Sequence, residues 1–121
     1  MLVIISWLLN ISGCLNKFDI KNSEEVKKYL VLNNFQHFEM KAGMSSFLQF
    51  GKDEVKLIIY LGDKELTEKS YSYILEEPQS TYREIKVKDN EGSWEIKEDG
   101  NIYLWNKGEL FIYNPFGEKR K

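Results

Sequence analysis

Residues 94–104 read Trp-Glu-Ile-Lys-Glu-Asp-Gly-Asn-Ile-Tyr-Leu, and this stretch predicts a β-hairpin. Apolar residues recur at every second position on both sides of Asp99-Gly100. A period of two is typical of a strand with one buried face, and an Asp-Gly pair supplies the positive φ that a tight hairpin turn needs. The apolar positions expected to share one face are Trp94, Ile96, Ile102 and Leu104.

Strands are also predicted on both sides of this hairpin, whose own arms are residues 93–97 and 101–105. The further segments with alternating or apolar character are residues 35–38, 46–50, 54–61, 69–75, 82–88 and 109–113. Turn-forming residues separate them at intervals of roughly 8–12 residues. The chain is therefore expected to contain about seven to eight short strands, in an antiparallel meander that forms a small barrel or a curled sheet.

One short amphipathic helix is predicted before the first strand. Asn22 or Ser23 can cap its start, and Asn22 with Glu25 fits the reciprocal capping pattern. The apolar stripe at helical spacing consists of Val26, Tyr29 and Leu30. The fold class is therefore mainly β (α+β), with the helix N-terminal to the meander.

Composition predicts a single packed domain, assigned to residues 22–121. The chain has 121 residues, of which 42% are hydrophobic and 14% aromatic, so disorder is not expected. The net charge is −2, with Lys and Glu interspersed. This charge pattern gives no electrostatic footprint for nucleic acid, and no nucleic-acid partner is expected.

The N-terminus carries an apolar run that ends in Ile11-Ser12-Gly13-Cys14, and Cys14 is the only cysteine. The first charged residue is Lys17. Residues 2–9 fit the apolar region of a signal peptide and are too few to span a bilayer. The tetrad resembles the lipobox of bacterial lipoproteins, in which an aliphatic residue and two small residues precede a cysteine that receives lipid.

This resemblance implies cleavage between Gly13 and Cys14 and lipidation of Cys14. Residues 1–13 would then be a lipoprotein signal peptide, and residues 14–21 the lipidated cysteine and a tether. The expected location is the cell envelope, with the protein anchored to a membrane through its lipid. Leu15 after the cysteine points to the outer membrane, facing the periplasm, if the host is Gram-negative.

Aromatic residues alternate through the last two predicted strands. Sorting side chains by face places Leu110 and Ile112 with Ile102 and Leu104. The opposite face would then be aromatic, and its members are Tyr103, Trp105, Phe111 and Tyr113. This face is either covered as part of the core or exposed as a binding face for a glycan, protein or lipid headgroup.

Residues for several chemistries are scarce, and no enzyme activity is expected. His37 is the only histidine, and its surroundings resemble no catalytic signature. A zinc site would need several His or Cys ligands. No catalytic residue, metal site or cofactor is therefore predicted.

Three functions remain open. The leading prediction is a membrane-anchored, non-catalytic binding module with a partner protein in the cell envelope. The second is a soluble cytoplasmic interaction or immunity-type protein with residues 1–14 in its core. The third is a small carrier of an apolar ligand, since the β-rich body loosely resembles the lipocalin-like barrels of bacterial lipoproteins; about 108 residues leave little room inside such a barrel.

Overall fold

A computed structural model of the chain describes residues 18–39 and 43–118. For Glu39, Gly117 and Glu118 it describes the backbone only. Gly13, Cys14 and the predicted signal peptide lie outside the described residues.

Helix α1 spans Ser23–Leu32 and begins at the predicted cap. The side chain of Asn22 accepts hydrogen bonds from the backbone N–H groups of Glu24 and Glu25. The carboxylate of Glu25 accepts from the backbone N–H of Asp19 at 3.0 Å, so the cap also holds the segment before the helix. The buried face of α1 is the predicted one, Val26, Tyr29 and Leu30.

Eight antiparallel strands follow the helix and form a closed barrel in the order β1-β2-β3-β4-β5-β6-β7-β8. Their bounds are β1 Asn33–Glu39, β2 Met44–Phe50, β3 Glu54–Leu61, β4 Lys64–Pro78, β5 Tyr82–Val87, β6 Ser93–Lys97, β7 Ile102–Asn106 and β8 Glu109–Glu118. The predicted meander of short strands after one helix is therefore confirmed, and the barrel is the form it takes.

Closure depends on two strands that are longer than predicted. Strand β8 pairs back onto β1 through Phe35 with Pro115 and Gln36 with Asn114. Strand β4 pairs with β3 through residues 64–72 and with β5 through residues 73–78. Strand β4 therefore joins β3 to β5 in the barrel wall. Its first part, residues 64–72, extends with β3 beyond Val87, the last residue of β5.

The two ends of the barrel differ. At the closed end, where β1 begins and β2 ends, α1 lies against β1 and β2. Across the same end the Tyr29 hydroxyl donates to the carbonyl of Gly100 in the β6–β7 hairpin at 2.7 Å. The opposite end, where Met44, Val87 and Asn106 lie, is called the open end below.

The closed half of the interior is filled by aromatic side chains in mutual contact. The ring of Tyr29 packs on Phe18 and Phe35 at centroid distances of 4.6 and 5.8 Å. The ring of Phe50 continues this series, 5.8 Å from Phe35 and 5.2 Å from Tyr73. These edge-on and tilted contacts are the geometry that aromatic cores prefer.

The predicted start of the domain is corrected by Phe18 and Ile20. Residues 14–21 were expected to form a tether, yet Phe18 and Ile20 are both buried in the core. The buried Arg83 guanidinium donates to the carbonyl of Ile20 through Nε and Nη2, at 3.1 and 2.9 Å. The domain therefore begins no later than Phe18, four residues before its predicted boundary at Asn22.

Candidate functional site

A cavity of about 270 Å³ occupies the open half of the barrel. Its walls come from strands that are distant in sequence, and apolar side chains dominate them. The apolar lining consists of Leu57, Ile59, Trp94, Leu104 and Phe111, with Met44 at the open end. The cavity thus lies on the opposite side of the core from α1 and Phe18.

One hydrogen-bonded pair introduces polarity into the cavity wall. The hydroxyl oxygens of Ser46 and Tyr113 lie 2.8 Å apart. Burial raises the pKa of Tyr113, while the hydrogen bond with Ser46 acts in the opposite direction. Tyr113 is therefore a neutral hydroxyl at physiological pH, and the pair can offer or accept a hydrogen bond without adding charge.

His37 lies beside this pair on the inner face of β1. Its Nδ1 is 3.0 Å from the carbonyl oxygen of Ile112 in β8. Its ring packs against Phe111 and Tyr113, at centroid distances of 5.3 and 5.6 Å. These contacts hold the imidazole in the wall of the cavity, as expected for a strand histidine.

Asn90 organises the β5–β6 connection at the edge of the cavity. Its Oδ1 accepts from the backbone N–H of Gly92 at 2.8 Å and from the indole Nε1 of Trp94 at 3.1 Å. A Cβ at position 92 would come within 2.9 Å of the Trp105 carbonyl oxygen, so glycine is needed there. The indole of Trp94 is thus fixed by a side chain from the open end.

The predicted aromatic face is wrong as a single surface. Phe111 and Tyr113 point into the barrel and line the cavity, whereas Trp105 is exposed on the outside. Tyr103 is also on the outer side of β7, where its hydroxyl donates to the Asp99 carboxylate and Lys97 Nζ lies 4.2 Å from the ring centroid. The four residues are therefore split between the two faces of the sheet.

A one-residue difference in the β7–β8 turn explains this error. The predicted strands 101–105 and 109–113 leave a three-residue turn, residues 106–108, which would place Leu104 opposite Leu110. The turn has only two residues, Lys107 and Gly108, both with positive φ, and Leu104 pairs with Phe111. Because side chains alternate between faces, a shift of one residue moves every side chain of β8 to the other face.

Several cavity residues were not singled out from the sequence. Leu57 and Ile59 occupy alternate positions of β3, and Ser46 lies opposite Ile59 in β2. Their inward direction follows from strand alternation once the register is known. The strand alternation could be read from the sequence. The pairing of β8 with β1, which closes the barrel and brings these strands around one cavity, could not.

The lining holds neither a carboxylate nor a lysine or arginine among the residues described. Within 18–39 and 43–118, no group of three or more His, Cys, Asp or Glu side chains is arranged to hold a metal ion. The same residues contain no helix that is long and apolar enough to cross a membrane. The cavity is suited to an uncharged, largely apolar group with a hydrogen-bonding atom.

Comparisons with known proteins find no relative of this chain. No protein-family model, curated protein or solved structure matches it. By its fold the protein is a small eight-stranded antiparallel β-barrel with one N-terminal helix.

Proposed function

We propose that this chain is a lipid-anchored, non-catalytic binding module of the bacterial cell envelope. Its anchor would be lipid on Cys14, after cleavage of the Gly13–Cys14 bond. Its binding site would be the open end of the barrel, with a protein of the envelope as its partner. No cofactor and no nucleic acid take part in this proposal.

The observation that carries the proposal is the position of Phe18 and Ile20. Both are buried at the closed end, and Phe18 follows Cys14 by only four residues in the sequence. Four extended residues span at most about 14 Å. Lipid on Cys14 would therefore hold the closed end near the membrane, while the open end with its cavity would point away.

The contacts of the segment 18–22 support a firm connection between anchor and barrel. Arg83 binds the carbonyl of Ile20, and the Glu25 carboxylate binds the backbone N–H of Asp19. Motion of the barrel on its anchor would thus be limited to the residues between Cys14 and Phe18. Two acyl chains would make such an anchor durable, since one alone binds membranes only marginally.

The barrel wall bears on the alternative in which residues 1–14 form part of a cytoplasmic core. Strands from 33 to 118 close the barrel with each strand paired on both sides. The closed half is filled by α1, Phe18 and Ile20 together with the strands. Strand pairing therefore leaves no position in the barrel wall for residues 1–14 as an additional strand.

The cavity favours a second candidate function, the binding of a small apolar ligand. A volume of about 270 Å³ is more than the expected small interior, and it exceeds the roughly 150 Å³ of an apolar cavity that takes benzene. It is slightly below the ~300–1,000 Å³ of most small-molecule pockets. A carrier would be limited to ligands of small size.

Metabolic labelling with palmitate tests the anchor. We expect label on the full-length protein in its native cells and none on the Cys14→Ala variant. We also expect the wild type in the membrane fraction after a salt wash. Equal labelling of the two proteins would overturn the proposal, whereas a Ser12→Ala control should keep the label because alanine is also small.

A further inference from the structure

Exposed apolar side chains are concentrated around the open end of the barrel. Eight large hydrophobic residues are exposed among the residues described, and five of them lie at strand ends near the cavity. These five, called the apolar ring below, are Phe38, Leu61, Leu66, Trp105 and Leu110. Isolated exposed hydrophobics are ordinary, but a group of them around an opening indicates an interaction site.

Local geometry brings members of the apolar ring close to the opening. Trp105 and Leu110 are directly opposite each other in the β7–β8 hairpin, next to Asn106 of the cavity lining. Leu66 lies at the irregularity in the β3–β4 pairing, where β4 gains a residue on β3. Phe38 is the most exposed of the ring, at 61%, and follows His37 of the cavity wall.

A small molecule inside the cavity would not cover this ring. The cavity can hold about ten non-hydrogen atoms, judged against the roughly 150 Å³ that takes benzene. Phe38, Trp105 and Leu110 are outside the barrel wall and would stay in contact with water. An occupant that buries both the cavity and the ring must therefore be a macromolecule.

Charge at the open end favours a protein over a lipid surface. The connections at residues 61–65, 88–92 and 106–109 carry five carboxylates and three lysines, all exposed. An excess of carboxylates opposes contact with the anionic headgroups that attract basic surfaces. The same excess complements Lys or Arg on a protein partner.

We propose that the open end docks a segment of an envelope protein that inserts one aromatic side chain into the cavity. The segment would pack on the apolar ring and carry Lys or Arg beside its aromatic residue. The rings of His37 and Phe111 meet edge-on in the cavity wall, and the Trp94 indole also lines the cavity. This aromatic lining suits an aromatic occupant, and the Ser46–Tyr113 pair can bond its N–H or O–H group. The inference rests on the proposed function, since it names the partner's chemistry and the surface it meets.

Photo-crosslinking in the native cells tests this inference. The probe, p-benzoylphenylalanine, replaces Leu66 or Trp105 in the full chain. Ile74 is the matched control position, because it is also exposed, at 59%, but lies on β4 towards the closed end. We expect protein adducts from positions 66 and 105 and none from position 74.

Filling the cavity provides the second part of the test. Leu57→Trp adds bulk inside, and Asn106→Trp adds it at the opening, where the native side chain is exposed. Loss of one central contact costs about thirtyfold in affinity, so adduct yield should fall steeply in both variants. Thermal melts show whether each variant is folded. Two filling positions are used so that the test still works if one of the variants does not fold.

The outcomes separate this inference from the anchor. Adducts that map to a segment with an aromatic residue beside Lys or Arg, and that are lost on filling, support the docking site. Adducts to lipid, adducts of equal yield at position 74, or adducts that persist after filling would overturn it. Absence of adducts in a protein that carries its palmitate label would also overturn it while leaving the anchor intact.

Discussion

Arg83 and Ile20 join the N-terminal segment to the barrel. Two nitrogens of the Arg83 guanidinium donate to the Ile20 carbonyl oxygen, and Nη1 donates to the Glu76 carbonyl oxygen at 3.0 Å. Arg83 is only 4% exposed, so little water is near to take over its hydrogen bonds to these carbonyls. The guanidinium thus fastens the segment that follows the proposed anchor.

Replacing Arg83 by Met should destabilise the domain by about 2–4 kcal/mol. The variant keeps the length of the side chain but leaves the buried Ile20 carbonyl and the part-buried Glu76 carbonyl without their donor. A fully buried group left in this way costs about 1–3 kcal/mol. Lys86→Met is the matched control, since Lys86 is exposed on the same strand and should change stability by less than about 0.5 kcal/mol. Urea unfolding of the three proteins measures this, and equal midpoints would contradict the role of Arg83.

Deleting residues 1–13 should leave the melting temperature of the domain unchanged. In the anchored form these residues are removed, and the barrel closes from residues 33 to 118. If they formed part of a core, up to eight large apolar side chains would be lost, at about 1.5–3 kcal/mol each. Such a loss would exceed a typical stability of about 5–15 kcal/mol, so an unfolded deletion variant would establish the cytoplasmic alternative.

Much of the fold could be predicted from the sequence because its signals are local. Asn22 caps the helix, Asp99-Gly100 forms the predicted hairpin, and strand alternation identifies inner positions such as Trp94 and Ile96. Each of these features depends on residues within a few positions of one another. Local patterns of this kind give the most reliable structural predictions from a sequence.

The site was harder to predict because it depends on distant contacts. Which residues of β8 face inwards depends on whether the β7–β8 turn has two residues, Lys107 and Gly108, or three. The amino-acid sequence alone allows both turns. The cavity also needs β8 to meet β1, more than 70 residues away in the chain. The burial of Phe18 and Ile20 depends in the same way on Arg83, which lies 63 residues after Ile20.

Asn90→Ala should loosen the edge of the cavity. The substitution removes the acceptor for the Gly92 N–H and the Trp94 indole, at a cost of about 1–3 kcal/mol. Asn90→Asp keeps an oxygen in the same place and should retain most of the stability. Unfolding midpoints and tryptophan emission measure both variants. Asn90→Ala values indistinguishable from the wild type would contradict this role for Asn90.

Alkaline pH should weaken the contact between Tyr29 and the β6–β7 hairpin. Burial, with a contribution from the charge of Asp99, raises the pKa of Tyr29 to about 12, against about 10 in an unfolded chain. Because the folded pKa is the higher one, the stability that neutral Tyr29 contributes is full below pH 10 and is lost as pH rises towards 12.

Tyr29→Phe provides the matched comparison for this effect. The variant lacks the hydroxyl bonded to Gly100 and does not titrate at this position. The stability difference between wild type and variant should therefore shrink from pH 9 to pH 11.5 in urea titrations. A difference that stays constant over this range would contradict the raised pKa. Tyr73, whose pKa burial also raises to about 12, is present in both proteins.

The most direct test of the whole account is the intact mass of the protein purified from its native membranes, beside that of Cys14→Ala. The account predicts a mature chain that starts at Cys14 and is heavier by at least a diacylglyceryl group, with no such species from the variant. An unmodified chain that retains Met1 would contradict it, and the open end would then have to find its partner inside the cell.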